Sequence, residues 1–374
     1  VYRILISLPG IGKFIYHSFL KKKTFPEQNE ALIEQYPWKE LKRQVLAQFS
    51  LRYRKEKYVF EVEKAHDQYV AKRIRHLKPD VFIGYEKSSL ESFKEVKKMG
   101  GITVLDLAQV HYGYLIELRN SQETFQDLFE DEALFEEINQ TKAAEYEYAD
   151  FILTLSNFAK STLLKFGLEE KKLRVVNLGY NPDIFKPKTR YQTSNTTLPL
   201  KLIYTGTFTR RKGVHLLLQA LHELDNPLIQ LTIVGPILDG EDLFEQYKKR
   251  FTYYDFLHHE DLVTHLQASD VYVFPSYLDS WAMTVVEAMA TGLPVIVTEN
   301  TGAKDAISDK ESGFILPIGD MEALKKAILY FYNDRAEVER MGRVAARSAE
   351  NFQWHFYQQQ IHSFVDSLSF EAEV

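Results

Sequence analysis

Apolar positions along the chain gather into short β-branched runs, each followed by a stretch of helix length. The first series is Arg3–Leu8, Asp80–Gly84, Ile102–Leu107, Phe151–Leu155 and Leu173–Asn177. The second is Lys201–Gly206, Gln230–Gly235, Val271–Pro275, Pro294–Thr298 and Phe314–Leu316. The runs are apolar throughout rather than alternating, which marks strands buried on both faces of a parallel sheet. Between the two series, residues 186–199 are polar and turn-rich and read as a linker. The alternation predicts an α/β chain of two Rossmann-like, doubly wound domains, 1–185 and 200–350. The tail from Phe352 to Leu368 repeats apolar residues at spacings of three and four. That pattern predicts an amphipathic helix that needs an apolar surface to cover it.

In open α/β sheets the ligand sits beyond the carboxyl ends of the strands, so the residues just after each strand are the candidates. Gly10 and Gly12 follow the first run and let backbone approach an anion or a sugar. The third glycine of a dinucleotide fingerprint is missing, its place being taken by Ile15. After Gly206 come Thr207, Phe208 and Thr209, then the cations Arg210, Arg211 and Lys212, then Gly213. Three charges before a helix over Val214–Leu224 suit a diphosphate. Past Pro275 a loop carries Asp279, Ser280 and Trp281, and a helix begins near Ala282. Glu287 lies inside that Ala/Val/Met-rich helix, where a carboxylate needs a partner. Residues 281–283, including Trp281, Ala282 and Met283, are expected to offer free backbone N–H groups to an anion. The plain alternative is a capping Asp and a satisfied core Glu. His258-His259-Glu260-Asp261 has metal-binding residue types, but adjacent loop residues seldom ligate one ion, and no metal is expected.

Composition narrows the field. Of 374 residues, 45% are hydrophobic and 26% charged, as in folded globular proteins. With no cysteine, disulfide scaffolds, iron–sulfur clusters and thiol nucleophiles are excluded, and a reducing, cytoplasmic location is expected. No apolar run approaches the ~20 residues of a membrane span. The net charge of −6 is uneven: Val1–Pro79 carries +9 and Glu117–Asp150 carries −9. The basic, aromatic stretch Lys13–Lys23 is compatible with peripheral contact to an anionic membrane, and equally with an ordinary helix and an exposed Lys tail. No nucleic-acid motif accompanies the charge.

The chain resembles family-4 retaining glycosyltransferases of the GT-B fold. The likeness rests on GTFTRRKG (206–213), on a carboxylate–x7–Glu pattern ending at Glu287, on EAMATGLPVIVTENTGAKDAI (287–307) and on GFILPIGDMEAL (313–324). AEYEYADFILTLSNFAKSTL (144–163) and RVVNLGYNPDIFKP (174–187) extend it more loosely. The resemblance implies two Rossmann-like domains facing across a cleft, with the C-terminal helix, about 352–374, crossing back to the N-terminal domain. It implies a UDP-, GDP- or ADP-linked sugar donor and a glycan, lipid-linked or small-molecule acceptor held by the N-terminal domain. Glu287 would hold the ribose hydroxyls, Lys212 the diphosphate, and His111 would lie near the donor sugar. Asp279 stands where the family usually has a Glu that binds sugar hydroxyls. Thr207 stands where an Arg is usual, leaving the second charge to Arg211 or Arg210. Ser280, Trp281 and Ala282 replace the usual Gly-Phe-Gly, which stiffens the loop. The implied chemistry is retaining transfer in which the leaving phosphate accepts the acceptor proton, without metal or enzyme nucleophile. An epimerase of nucleotide sugars or a non-catalytic sugar- or partner-binding protein on the same fold are the alternatives.

Overall fold

The computed structural model describes residues 52–122, 125, 131–191 and 198–371. Arg3–Leu8, Gly10, Gly12, the Lys13–Lys23 stretch and much of the linker lie outside the described residues. The first half runs α1 (Arg52–Leu77), β1 (Val81–Tyr85), α2 (Leu90–Lys98), β2 (Ile102–Leu107), α3 (Tyr112–Ser121), α4 (Glu132–Tyr148), β3 (Phe151–Thr154), α5 (Asn157–Lys165) and β4 (Leu173–Val175). It continues with β5 (Leu200–Thr205), α6 (Val214–Leu224), β6 (Ile229–Val234), α7 (Glu241–Tyr247), β7 (Phe251–Tyr254), α8 (His259–Gln267) and β8 (Val271–Phe274). The last part is α9 (Met283–Ala290), β9 (Val295–Thr298), β10 (Gly313–Leu316), α10 (Met321–Asn333), α11 (Ala336–Ala349) and α12 (Trp354–Glu371).

Two compact units form. One gathers α1, α2 and α4. Its hydrogen bonding is led by two carboxylates: Asp67 accepts from the backbone of Glu91 and Ser92, and Glu145 accepts from the backbone of Lys87 and Ser89. Both anions sit at the start of α2, where free N–H groups favour negative charge.

The other unit holds both sheets, and every pairing in them is parallel. The four-stranded sheet runs β1-β2-β3-β4, and the six-stranded one runs β10-β9-β8-β5-β6-β7. In the larger sheet the chain winds outward through β6 and β7, then returns to the far side of β5 with β8. The strand order therefore reverses between β5 and β8, and the carboxyl ends of those two strands flank the ligand crevice of a doubly wound sheet. Burial explains the winding. On α6, Val214, Leu217, Leu218 and Leu221 are buried at helical spacing, and α9 is buried nearly all round. β5, β8 and β9 are covered on both faces. α12 crosses back to the smaller sheet: Phe364 and Leu368 pack with Val104, Leu153 and Val176. Among the described residues no helix is long and apolar enough to cross a membrane.

β7 is a strand that the hydrophobic pattern does not single out. Phe-Thr-Tyr-Tyr alternates aromatic and polar groups between charged flanks, and it pairs with β6 from Leu231↔Phe251 to Val234↔Tyr254.

Candidate active site

The crevice is built first from backbone. After β5, Gly206 (φ 143°) and Gly213 (φ 73°) bracket a single 3-10 turn over Arg210–Lys212. Thr209 caps that turn by accepting from the Lys212 backbone N–H at 3.2 Å. The turn brings the Lys212 ammonium into an ion pair with Asp279, 5.2 Å from the centre of the Phe274 ring. Burial, helped by Arg211, holds the Lys212 pKa below the usual lysine range, and Asp279 opposes that shift. The other two cations point elsewhere. Arg211 donates to the Leu278 carbonyl at 3.0 Å, and Arg210 pairs with Asp242 at 2.8 Å on the surface. Thr207 contributes its carbonyl, which accepts from the Tyr204 hydroxyl at 2.7 Å.

The expectation of free amides at the start of α9 is corrected. Asp279 Oδ1 accepts from the Trp281 N–H at 3.1 Å and from the Ala282 N–H at 2.7 Å. A carboxylate just ahead of a helix satisfies the donors that the sequence reading left to a ligand. The Trp281 side chain belongs to the core. It is 2% exposed and packs 5.4 Å from Phe352, with a buried Nε1 that has no hydrogen-bond partner. It is a core residue whose backbone, not its indole, faces the loop. Ala282 adopts φ 61°, a conformation that favours glycine. Met283 opens α9 and is half-buried.

Glu287 is 8% exposed, and no donor among the described residues reaches its carboxylate. Burial pushes its pKa up to about 7. Its carboxylate in turn helps raise the Tyr272 phenol, though burial is the main cause. Tyr272 itself donates to the Thr205 carbonyl at 3.1 Å and to Thr284 at 2.8 Å. A carboxyl whose pKa is higher folded than unfolded weakens the fold as pH rises from its unfolded value toward about 7, because only the unfolded chain has then released the proton. Stability is expected to fall over that window by up to ~3 kcal/mol. Glu287→Gln should remove the slope and melt higher than the parent at pH 8. Equal pH profiles in chemical denaturation would contradict this environment for Glu287.

His111 caps α3. Its Nδ1 accepts from the Gly113 N–H at 3.0 Å, which leaves the proton of the neutral ring on Nε2, and its own N–H donates to Thr162 Oγ1 at 3.0 Å. The ring is 5% exposed and stacked between Tyr112 (4.4 Å) and Phe166 (4.6 Å). The strand end that carries His111 is joined to the Asp279 loop. The Ser280 hydroxyl donates to the Ala108 carbonyl, and the Ser280 carbonyl accepts from Ser156 Oγ at 2.7 Å. Tyr114 donates to Asn300 Oδ1 at 2.9 Å, and the Asn300 carbonyl accepts from the Asp279 N–H at 3.0 Å. Sequence reasoning missed Ser156, Tyr114 and Asn300. His258–Asp261 simply opens α8, and among the described residues no cluster could hold a metal ion.

A parallel sheet with a switch point flanked by a buried cation and two carboxylates places this chain among doubly wound α/β proteins with a ligand crevice between β5 and β8. Residues 186–348 match the family described as "Glycosyl transferases group 1", and the fold is GT-B. It is 28% identical over 224 residues to the D-inositol 3-phosphate glycosyltransferase of Streptomyces avermitilis, covering 54% of this chain and 48% of that one. It is 25% identical over 241 residues to the capsular polysaccharide biosynthesis glycosyltransferase CapM of Staphylococcus aureus, covering 59% and 63%. The chain thus spans roughly half to three fifths of the length of these curated relatives. Its fold matches sucrose-phosphate synthase from Thermosynechococcus elongatus with a TM-score of 0.68 at 22% identity, over 84% of this chain and 79% of that one. It also matches Anabaena Alr3699/HepE in complex with UDP-glucose, with a TM-score of 0.63 at 17% identity, over 80% and 82%.

Proposed function

We propose that the chain is a retaining glycosyltransferase that moves a hexose from a nucleotide-diphosphate sugar to a hydroxyl of a glycan, lipid-linked or small-molecule acceptor. The observation that carries the reading is the arrangement at the switch point. Lys212, buried and positively charged, stands at the end of β5, and Glu287, buried without a donor, stands on the helix that follows β8. Glu287 is suited to accept from two neighbouring ribose hydroxyls, which would supply its missing donors and lower its pKa again. Lys212 is suited to the diphosphate. As the sugar–phosphate bond lengthens, negative charge grows on the leaving oxygen, and a fixed cation in a water-poor crevice stabilises that charge without reorganising. The leaving phosphate then takes the proton of the acceptor hydroxyl on the same face, so neither a metal nor an enzyme nucleophile is required. Residues 200–350 would bind the donor and residues 1–185 the acceptor. The UDP-glucose complex of a structural neighbour and the polysaccharide-related name of one relative support a UDP-sugar donor and a glycan acceptor.

The test is a thermal-shift panel of UDP-, GDP- and ADP-sugars on the parent and on Glu287→Ala. A ligand at a hundred times its Kd stabilises the native state by ~2.7 kcal/mol. A shift with the UDP-sugar, absent in Glu287→Ala, and release of free UDP on adding acceptor are expected. No shift with any of the three removes the proposal.

A further inference from the structure

We propose that Asp279 is a positioning residue that fixes Lys212 and closes the start of α9. The inference rests on the glycosyltransferase reading above. A carboxylate offers about four acceptor sites, and three are filled by the protein itself. Oδ1 takes the Trp281 and Ala282 N–H groups, and Oδ2 takes the Lys212 ammonium. The side chain is too short to swing away while keeping these bonds.

Nor is the loop free to carry Asp279 toward a ligand. Its backbone is pinned at every residue. The Asp279 N–H donates to the Asn300 carbonyl, and the Gly302 N–H donates to the Asp279 carbonyl at 2.8 Å. Ser280 is held from both sides, by Ala108 through its hydroxyl and by Ser156 through its carbonyl. Trp281 is buried, and Ala282 is turned into the conformation that aims its N–H at Oδ1. The one acceptor site left lies on Oδ2, the oxygen that already holds the Lys212 ammonium. The groups facing that ammonium are Asp279 and the like-charged Arg211, so Asp279 alone among them favours its proton.

Two ligands separate the roles: UDP, which has no hexose, and UDP-glucose. Both are titrated calorimetrically into the full chain, the isosteric Asp279→Asn variant and Asp279→Glu. Asparagine is itself a good cap, so the helix start survives, and a melting curve checks the fold. The positioning role predicts that Asp279→Asn weakens UDP and UDP-glucose by the same factor, at least about tenfold, as expected for one partner of a buried ion pair. It also predicts that the alkaline limit of UDP binding moves to lower pH in Asp279→Asn, because Lys212 has lost the carboxylate that holds its proton. Asp279→Glu, which restores the charge, should recover most of the UDP affinity. Unchanged UDP affinity in Asp279→Asn with a loss confined to UDP-glucose would overturn the positioning role and leave the glycosyltransferase reading standing. A parent chain that binds neither ligand would overturn both.

Discussion

Replacing Lys212 with alanine is expected to lower kcat/KM by about a thousandfold, ~4 kcal/mol of transition-state stabilisation. The size follows from what surrounds the ammonium. Its side chain is only 12% exposed, so its charge acts through a poorly screening medium. Among the described residues no neighbouring cation is placed to substitute for it. The Arg211 guanidinium is bound to the Leu278 carbonyl, and Arg210 is bound to Asp242 at the surface. Most of the loss should appear in kcat, because in the proposed reaction the charge that Lys212 meets grows as the sugar–phosphate bond breaks. Steady-state kinetics with donor and acceptor varied in turn provides the measurement. A loss below tenfold would mean that the leaving group is stabilised from elsewhere.

Gly213→Ala is expected to destabilise the fold by about 4 kcal/mol, at the upper end for a single substitution. Two effects add at this position. The residue sits at φ 73°, and a Cβ there would stand 1.9 Å from the Pro275 carbonyl oxygen. Gly167→Ala separates them. Its φ is 87°, but nothing lies within 4 Å of the added Cβ. That variant should lose only the conformational share, ~1 kcal/mol. Chemical denaturation of the pair reads the difference. Similar losses in both would mean that the turn after β5 does not press against the end of β8. The contact matters to function because it sets Lys212 one residue away from a rigid crossing of two backbones.

The parts of the fold most legible in the sequence are those where one physical signal dominates. Ile102–Leu107 and Val214–Leu224 have the bounds that their apolar patterns suggest, and the other described strands fall within two residues of theirs. β7 was lost because its alternation of aromatic and polar side chains suits a sheet edge, and apolar runs were the signal used. Two helices packed behind β10, Met321–Asn333 and Ala336–Ala349, were likewise not drawn. In the site, Glu287 was legible because a charged residue among Ala, Val and Met is conspicuous. The amides of Trp281 and Ala282 are not spare because their acceptor is only two and three residues upstream, on the Asp279 side chain that sequence alone assigns to a ligand. Ser156 carries no signal in the sequence, and Ser280 stands out only as a departure from the usual loop residues, not for its bonds. They lie 124 residues apart, and a serine acquires its role only when the fold brings a carbonyl to it.

On the proposed function, the junction at Ser280 also gives donor and acceptor a route to thermodynamic coupling. The loop that fixes Lys212 is the loop that bonds to Ala108 and Ser156, past the ends of β2 and β3. Coupling of two ligands through these bonds would be reciprocal, each changing the other's affinity by the same factor. An acceptor that steadied the smaller sheet against Ser280 would then raise donor affinity without touching the donor, and a bound donor would raise acceptor affinity in turn. Cooperativity of this kind needs no third state and no moving part beyond the two hydrogen bonds that cross the junction at one serine.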